Sequence, residues 1–193
     1  ISVRSEFIAA GEPCAFNVSV SWRNDGSSTY DGGLWVGFHD AMPELESRFN
    51  LVRRPWASAA ESVESLDDVD GYEGPVPLEG TPEWFGFADN YFALVFAPQE
   101  PVDGHVVFNS TGSLEAPLFG GQYIVDRALP PGSTYTATFR GYAGTKDSEA
   151  MSAIDPRLAT VVQLGWFSFF AEILLSGLRF FYGALGNWGL AII

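Results

Sequence analysis

Hydrophobic and polar residues alternate most clearly from Cys14 to Trp22: Cys14, Phe16, Val18, Val20 and Trp22 fall on one face, and Ala15, Asn17, Ser19 and Ser21 on the other. A period of two with one apolar face predicts a half-buried β-strand. Cys14 is then a small buried apolar residue. Asn24, Asp25 and Gly26 follow as a turn, because these residue types tolerate the positive φ of tight reversals. Further strands are predicted near Leu34–His39, Glu83–Phe87, Asn90–Phe96, His105–Phe108 and Gln122–Leu129, with Pro98 and Pro101 as breakers. Pro130, Pro131 and Gly132 turn the chain into Thr134–Tyr142, where Tyr135, Ala137 and Phe139 alternate with Thr134, Thr136, Thr138 and Arg140.

Between Asp40 and Gly80 the periodicity fades and acid accumulates at Glu61, Glu64, Asp67, Asp68, Asp70 and Glu73. That stretch reads as a long, partly mobile excursion, with a short helix over Ala57–Leu66. Past the last strand, Thr145 is the expected N-cap of a helix with Asp147 and Glu149 in its first turn, and Pro156 ends that helix near Asp155.

From Leu164 the texture changes to aromatic and aliphatic bulk at nearly every position. At about 100° per residue, Ser168, Glu172, Ser176, Arg179 and Gly183 share an arc of roughly 80°, and Trp166, Phe170, Ile173, Gly177, Phe181 and Ala184 lie away from it. The segment is an amphipathic helix with a narrow polar stripe. A helix of that shape fits a membrane surface, with Trp166, Phe167, Phe169, Phe170, Ile173, Leu174, Phe180 and Phe181 toward lipid. Ser168, Glu172, Ser176 and Arg179 then face water or protein. A core helix of the domain is the competing reading. Spanning the bilayer would bury Glu172 and Arg179, at about 2.5–3.5 kcal/mol for a central charge. Gly186, Asn187 and Gly189 interrupt the helix as a hinge, and Trp188 would anchor the start of a further apolar run at the interface. That run, as far as Ile193, is much shorter than the roughly 20 residues a bilayer requires.

Composition narrows the function classes. The chain has 193 residues and a formal net charge of −14, and Gly165 to Ile193 contributes only Glu172 and Arg179, which cancel. The acidic body repels phosphate backbones, so no nucleic-acid partner is expected. The acid itself reads as a solvated face. One cysteine excludes an internal disulfide and a cysteine-based metal cluster, and no cofactor or metal is expected. The two histidines, His39 and His105, lie on separate strands without metal-ligand spacing, so they read as strand residues and no catalysis is expected. The triplets Asn17-Val18-Ser19 and Asn109-Ser110-Thr111 match a glycosylation pattern that arises by chance. Ile1 opens inside a strand-like run without a start methionine or leader, so a fragment or processed form is expected.

Arg140-Gly141-Tyr142-Ala143-Gly144, Lys146-Asp147-Ser148-Glu149-Ala150-Met151, Leu164-Gly165-Trp166-Phe167 and Gly186-Asn187-Trp188-Gly189, in this order, resemble the YidC/Oxa family of membrane protein insertases, in its Gram-negative branch. Thr134 to Ile193 carries the resemblance well, Glu83 to Pro98 weakly, and nothing before Glu83 matches by motif. The resemblance implies a mainly β fold: an antiparallel β-sandwich of the galactose-mutarotase supersandwich kind, then a short helix and the C-terminal amphipathic helix. It divides the chain into a periplasmic sandwich that is incomplete at its N-terminal side (1–144), a short helix and connector (145–164), the interfacial helix (165–186) and the start of a transmembrane helix (187–193). It implies an inner-membrane location facing the periplasm. The implied partners are the lipid bilayer, nascent membrane proteins and Sec translocon components. The insertion groove of the family lies beyond Ile193. The acidity and the long acidic excursion depart from the family pattern. A carbohydrate-binding sandwich is the alternative, with Trp35, Trp56, Trp84 and Tyr91 as a stacking platform, against which Trp35 and Trp84 read as core residues.

Overall fold

The computed structural model describes residues 1–41, 54–59, 62–65, 75–100, 104–113, 116–162, 168–187 and 189. The chain divides into two compact units, Ile1–Val161 and Val162–Ile193.

The first unit is an antiparallel β-sandwich. One sheet runs in the order β1 (Ser2–Ala9), β2 (Ala15–Arg23), β11 (Thr134–Thr145), β8 (Phe92–Pro98), β7 (Pro82–Ala88), β4 (Arg54–Ala59) and β5 (Ser62–Ser65). The other runs β3 (Leu34–Ala41), β10 (Ala116–Val125), β9 (Gly104–Ser113) and β6 (Val76–Leu78). Alternation drives the layering: Val18, Val20 and Trp22 of β2 and Ala137 and Phe139 of β11 turn inward, against Leu34, Phe38, Val106, Phe108, Tyr123 and Val125 of the second sheet. Phe85 sits at the centre, stacked on Tyr123 at 5.2 Å and edge-on to Phe139 at 5.6 Å. Burying each such side chain contributes about 1.5–3 kcal/mol.

The outward face of the larger sheet carries a second apolar layer. Trp84, Val95 and Tyr142 are fully buried there, where α1 (Ser148–Ile154) packs on β11 and a 3₁₀-helix (Pro156–Val161) packs on β7 and β8. Met151, Leu158 and Val161 are their buried side chains. The Trp84 indole donates to the Thr160 hydroxyl at 2.7 Å, and Arg157 donates to the Pro98 carbonyl at 2.8 Å and to Asp155 at 2.6 Å. Burial pushes the Asp155 carboxyl up, but the hydrogen bonds and charge of Arg157 outweigh it and hold it below its usual value.

Several local expectations are corrected. Cys14 is exposed rather than buried: it stands at φ 63° in the turn between β1 and β2, one residue before the strand begins. Ala57–Leu66 is not helical where it is described. Arg54–Ala59 pairs with β7 and Ser62–Ser65 pairs back on it, because Ala57 and Ala59 complete the inward face whereas Ser58 faces outward toward Glu83. Residues 42–53, 60–61 and 66–74 of the acidic excursion lie outside the described residues. Thr145 closes β11, and Asp147 is the N-cap, accepting from the backbone N–H of Glu149 and Ala150 at 2.9 and 3.1 Å. β8 begins at Phe92 rather than Asn90, because the Asp89 carboxylate accepts from the N–H of Tyr91 and Phe92 and turns the chain there. β10 ends at Val125, and Leu129 instead forms an isolated bridge with Tyr30.

Candidate functional site

The second unit contains the helix α2 (Ser168–Leu185). Ala, Leu, Glu and Arg favour its continuity, and no Pro interrupts it. Among the described side chains, Leu174, Phe180 and Phe181 are 70%, 74% and 53% exposed. The Phe180 and Phe181 rings meet edge-on at 5.6 Å. Ser176, Arg179 and Gly183 are also exposed and share the narrow polar arc. The helix therefore shows both its apolar and its polar side chains to the surroundings. Among the described residues, no helix is long and apolar enough to cross a membrane.

The end of α2 is set by Gly186, at φ 63°, whose N–H donates to the Tyr182 carbonyl at 2.7 Å. This is the left-handed C-terminal stop that glycine adopts without strain. The Asn187 side-chain oxygen then accepts from the N–H of Gly189 at 2.8 Å, which turns the chain. Ser168, Phe169, Phe170, Glu172 and Ile173 lie within α2. Trp166, Phe167 and Trp188 lie outside the described residues.

The first unit carries a second feature, beside β1. β1 continues the inward face of the larger sheet, with Val3 opposite Trp22, Ser5 opposite Val20 and Phe7 opposite Val18. The facing sheet stops at β3, its edge. Val3 and Phe7 are consequently 60% and 68% exposed and line an open apolar groove of about 680 Å³ with Trp22, Phe38, Phe96 and Phe139. The signal was present as the alternation of Val3, Ser5 and Phe7.

The four aromatics of the sugar-platform reading do not share a surface. Trp84 is fully buried beneath the 3₁₀-helix, as a core reading of that residue requires, whereas Trp35 is exposed on β3 of the other sheet, against that reading. Trp56 lies beside Lys146, whose ammonium sits 6.0 Å from its ring centre; burial lowers the lysine pKa, partly opposed by Asp89. His39 bonds Asn109 at 2.6 Å and His105 bonds Asp126, just past the end of β10, at 2.9 Å, so each histidine has a side-chain partner. Among the described residues, no cluster of His, Cys, Asp and Glu has the makings of a metal site.

Comparison with known proteins bears on the whole chain. A family model described as the YidC periplasmic domain matches residues 3–176. A protein named membrane protein insertase YidC, from Nitratidesulfovibrio vulgaris (strain DP4), is 31% identical over 176 residues, covering 89% of this chain and 31% of its own length. Its namesake in Oleidesulfovibrio alaskensis is 35% identical over 166 residues, covering 83% of this chain and 29% of its own length. The one in Geobacter sulfurreducens is 28% identical over 197 residues, covering 100% and 36%. The chain thus spans about a third of the length of the curated relatives it matches.

Proposed function

The chain belongs to the YidC periplasmic domain family, and from that membership we propose that it is the periplasmic scaffold of an inner-membrane protein insertase, tied to the bilayer surface through α2. The observation that carries this reading is the exposure of Leu174, Phe180 and Phe181 on a helix that also holds a narrow polar arc. Large apolar side chains left in water on one helix are stabilised by transfer into the headgroup–acyl boundary, where Arg179 and Ser176 keep their hydration. The membrane-facing set is Trp166, Phe167, Phe169, Phe170, Ile173, Leu174, Phe180, Phe181 and Trp188. Ser168, Glu172, Ser176 and Arg179 form the wet stripe, and Gly186, Asn187 and Gly189 turn the chain toward the bilayer. The sandwich supplies no catalysis. Its partners in this reading are lipid, nascent membrane proteins handled by the rest of the insertase, and Sec translocon components. The arrangement comprises the sandwich (1–144), a helical connector (145–164), the interfacial helix (165–186) and the start of a transmembrane helix (187–193).

Flotation of the full chain with phospholipid vesicles tests the reading. The unaltered chain is expected to float. Phe180→Glu combined with Phe181→Glu is expected to leave it in the dense fraction, whereas Ser176→Glu, on the wet stripe, changes little. Equal flotation of the double variant, with an unchanged near-UV spectrum, sinks the proposal.

A further inference from the structure

β1 forms one edge of the larger sheet: among the described residues only β2 pairs with it, and all eight of its residues are exposed. The Ala10 N–H donates to the Ala15 carbonyl at 3.0 Å, and because these two residues continue the β1–β2 register, that bond fixes the phase of the ladder. Bonding residues alternate along an antiparallel pair, so Ser2, Arg4, Glu6 and Ile8 exchange bonds with β2. Val3, Ser5 and Phe7 aim their backbone N–H and C=O groups at the open edge. Their side chains continue the inward apolar face, opposite Trp22, Val20 and Val18, whereas Arg4 and Glu6 stand on the outward face. An edge of this kind is a template for another strand of matching pattern.

We propose that β1 of a second copy of the chain pairs antiparallel with β1 about a two-fold axis at Ser5, joining two larger sheets edge to edge. Charge complementarity selects both that occupant and that register. With Ser5 opposite Ser5 of the second copy, Arg4 stands opposite Glu6 and Glu6 opposite Arg4, so both outward charged pairs are of opposite sign. The backbone phase agrees: Val3 then meets Phe7 and Ser5 meets Ser5, and these are the residues whose N–H and C=O groups face the edge. Arg4 and Glu6 fall at the non-hydrogen-bonded positions, where side chains of facing strands approach most closely. A slip of two residues keeps the phase but sets Arg4 against Arg4 or Glu6 against Glu6, and a slip of one breaks the phase. Within one chain Arg4 and Glu6 approach only to 4.0 Å, with side chains 81% and 51% exposed, so both can turn to a facing strand. On the inward side Phe7 of each copy lies beside Val3 of the other, which covers apolar surface that β1 leaves in water. The contact is isologous. It is also small, and the net charge of −14 on each copy opposes it. The dimer is therefore weak, with a dissociation constant on the order of 10–100 µM.

Sedimentation velocity of the full chain carrying Phe180→Glu and Phe181→Glu, which remove the apolar contribution of α2, tests this independently of membrane binding. A concentration series reaching above about 100 µM is expected to show a reversible monomer–dimer equilibrium. Arg4→Glu and Glu6→Arg, each added alone, set like charges face to face at both symmetric pairs and are expected to weaken the dimer by roughly fivefold or more. Combined in one chain they restore opposite signs, and the dimer is expected to recover to within about twofold of the background. Ser5→Pro removes an N–H that faces the edge and leaves the bonds to β2 in place, so it is expected to weaken the dimer by about tenfold or more in a folded chain. Near-UV circular dichroism confirms that each variant is folded. A monomer at every concentration, a dimer indifferent to the single reversals, or a combined variant no tighter than either single one overturns the proposal.

Discussion

The ring of Phe16 occupies the space where a side chain on Gly141 would stand: a Cβ built there lies 2.4 Å from the ring. Gly141 is the inward residue of β11 directly opposite Phe16 on β2 and Phe96 on β8. Its missing side chain lets the two rings meet edge-on across the strand at 5.7 Å. Gly141 of the Arg140–Gly144 segment is thus a packing requirement of the sandwich.

Gly141→Ala is therefore expected to destabilise the domain by about 1–3 kcal/mol, the usual cost of overpacking a core. Urea melts of the full chain measure it. Phe16→Leu should recover part of the loss, because the new methyl group then has room. A simple sum of the two single effects would show that the residues do not interact.

Asn24 provides a second test. Its side chain is buried, its amide donates to the carbonyls of Ser28 and Leu129 at 2.8 Å each, and its oxygen accepts from Gly26. The backbone N–H of Tyr30 also donates to the Leu129 carbonyl, so that acceptor is not orphaned when the amide is removed. Asn24→Ala is then expected to cost about 1 kcal/mol, at the low end of the range for a lost buried donor. Asn24→Asp should cost more, because it replaces the two donated bonds with a buried negative charge.

Capping offers a direct contrast between neighbouring residues. Asp147 accepts from two N–H groups at the start of α1, whereas Thr145 takes part through its carbonyl, which accepts from the Tyr142 hydroxyl. Asp147→Ala is expected to lower stability by about 0.5–2 kcal/mol. Thr145→Ala should stay within about 0.5 kcal/mol. Thermal melts of both variants separate the two assignments.

How much of this was legible in the sequence depended on how local the cause was. The strand through Phe16, Val18, Val20 and Trp22 follows from spacing alone and is present as β2, and a helix is present over Ser168–Leu185 where the helical period predicts one. The composition of Ala57–Leu66 suits a short helix, yet its described part forms strands, because β7 pairs alongside Arg54–Ala59 and tertiary contacts override propensity. Cys14 fits the period of two, but the turn that holds it is closed by Ala15 donating to the Glu12 carbonyl, which alternation cannot reveal. Arg140–Gly144 was legible as a family resemblance, while its physical reasons, Glu12 at 2.9 Å from Arg140 and Phe16 over Gly141, lie more than a hundred residues away in sequence. The groove beside β1 is not legible in the sequence, because exposure of an apolar face depends on where the opposite sheet stops.

The last prediction concerns alkaline pH and rests on Tyr123. Its hydroxyl is buried without a hydrogen-bond partner, and its pKa is pushed up to about 12, first by burial and then by the proximity of Tyr135. In the unfolded chain the same phenol ionises near its ordinary value of 10.0. Because the folded value is the higher one, this group's contribution is fully present below pH 10 and is lost as pH rises from there through about 12, where the unfolded state gains by releasing the proton. Stability is therefore expected to decline above pH 10. Tyr135 and Tyr142, also raised by burial, add to the same slope. Tyr123→Phe removes both the unpaired hydroxyl and its titration, so the variant should be as stable as the parent or more so at pH 7. Its advantage should widen between pH 10 and 12 in denaturant melts followed by far-UV circular dichroism. A parallel decline of parent and variant across that interval would show that the Tyr123 hydroxyl is solvated in the folded protein.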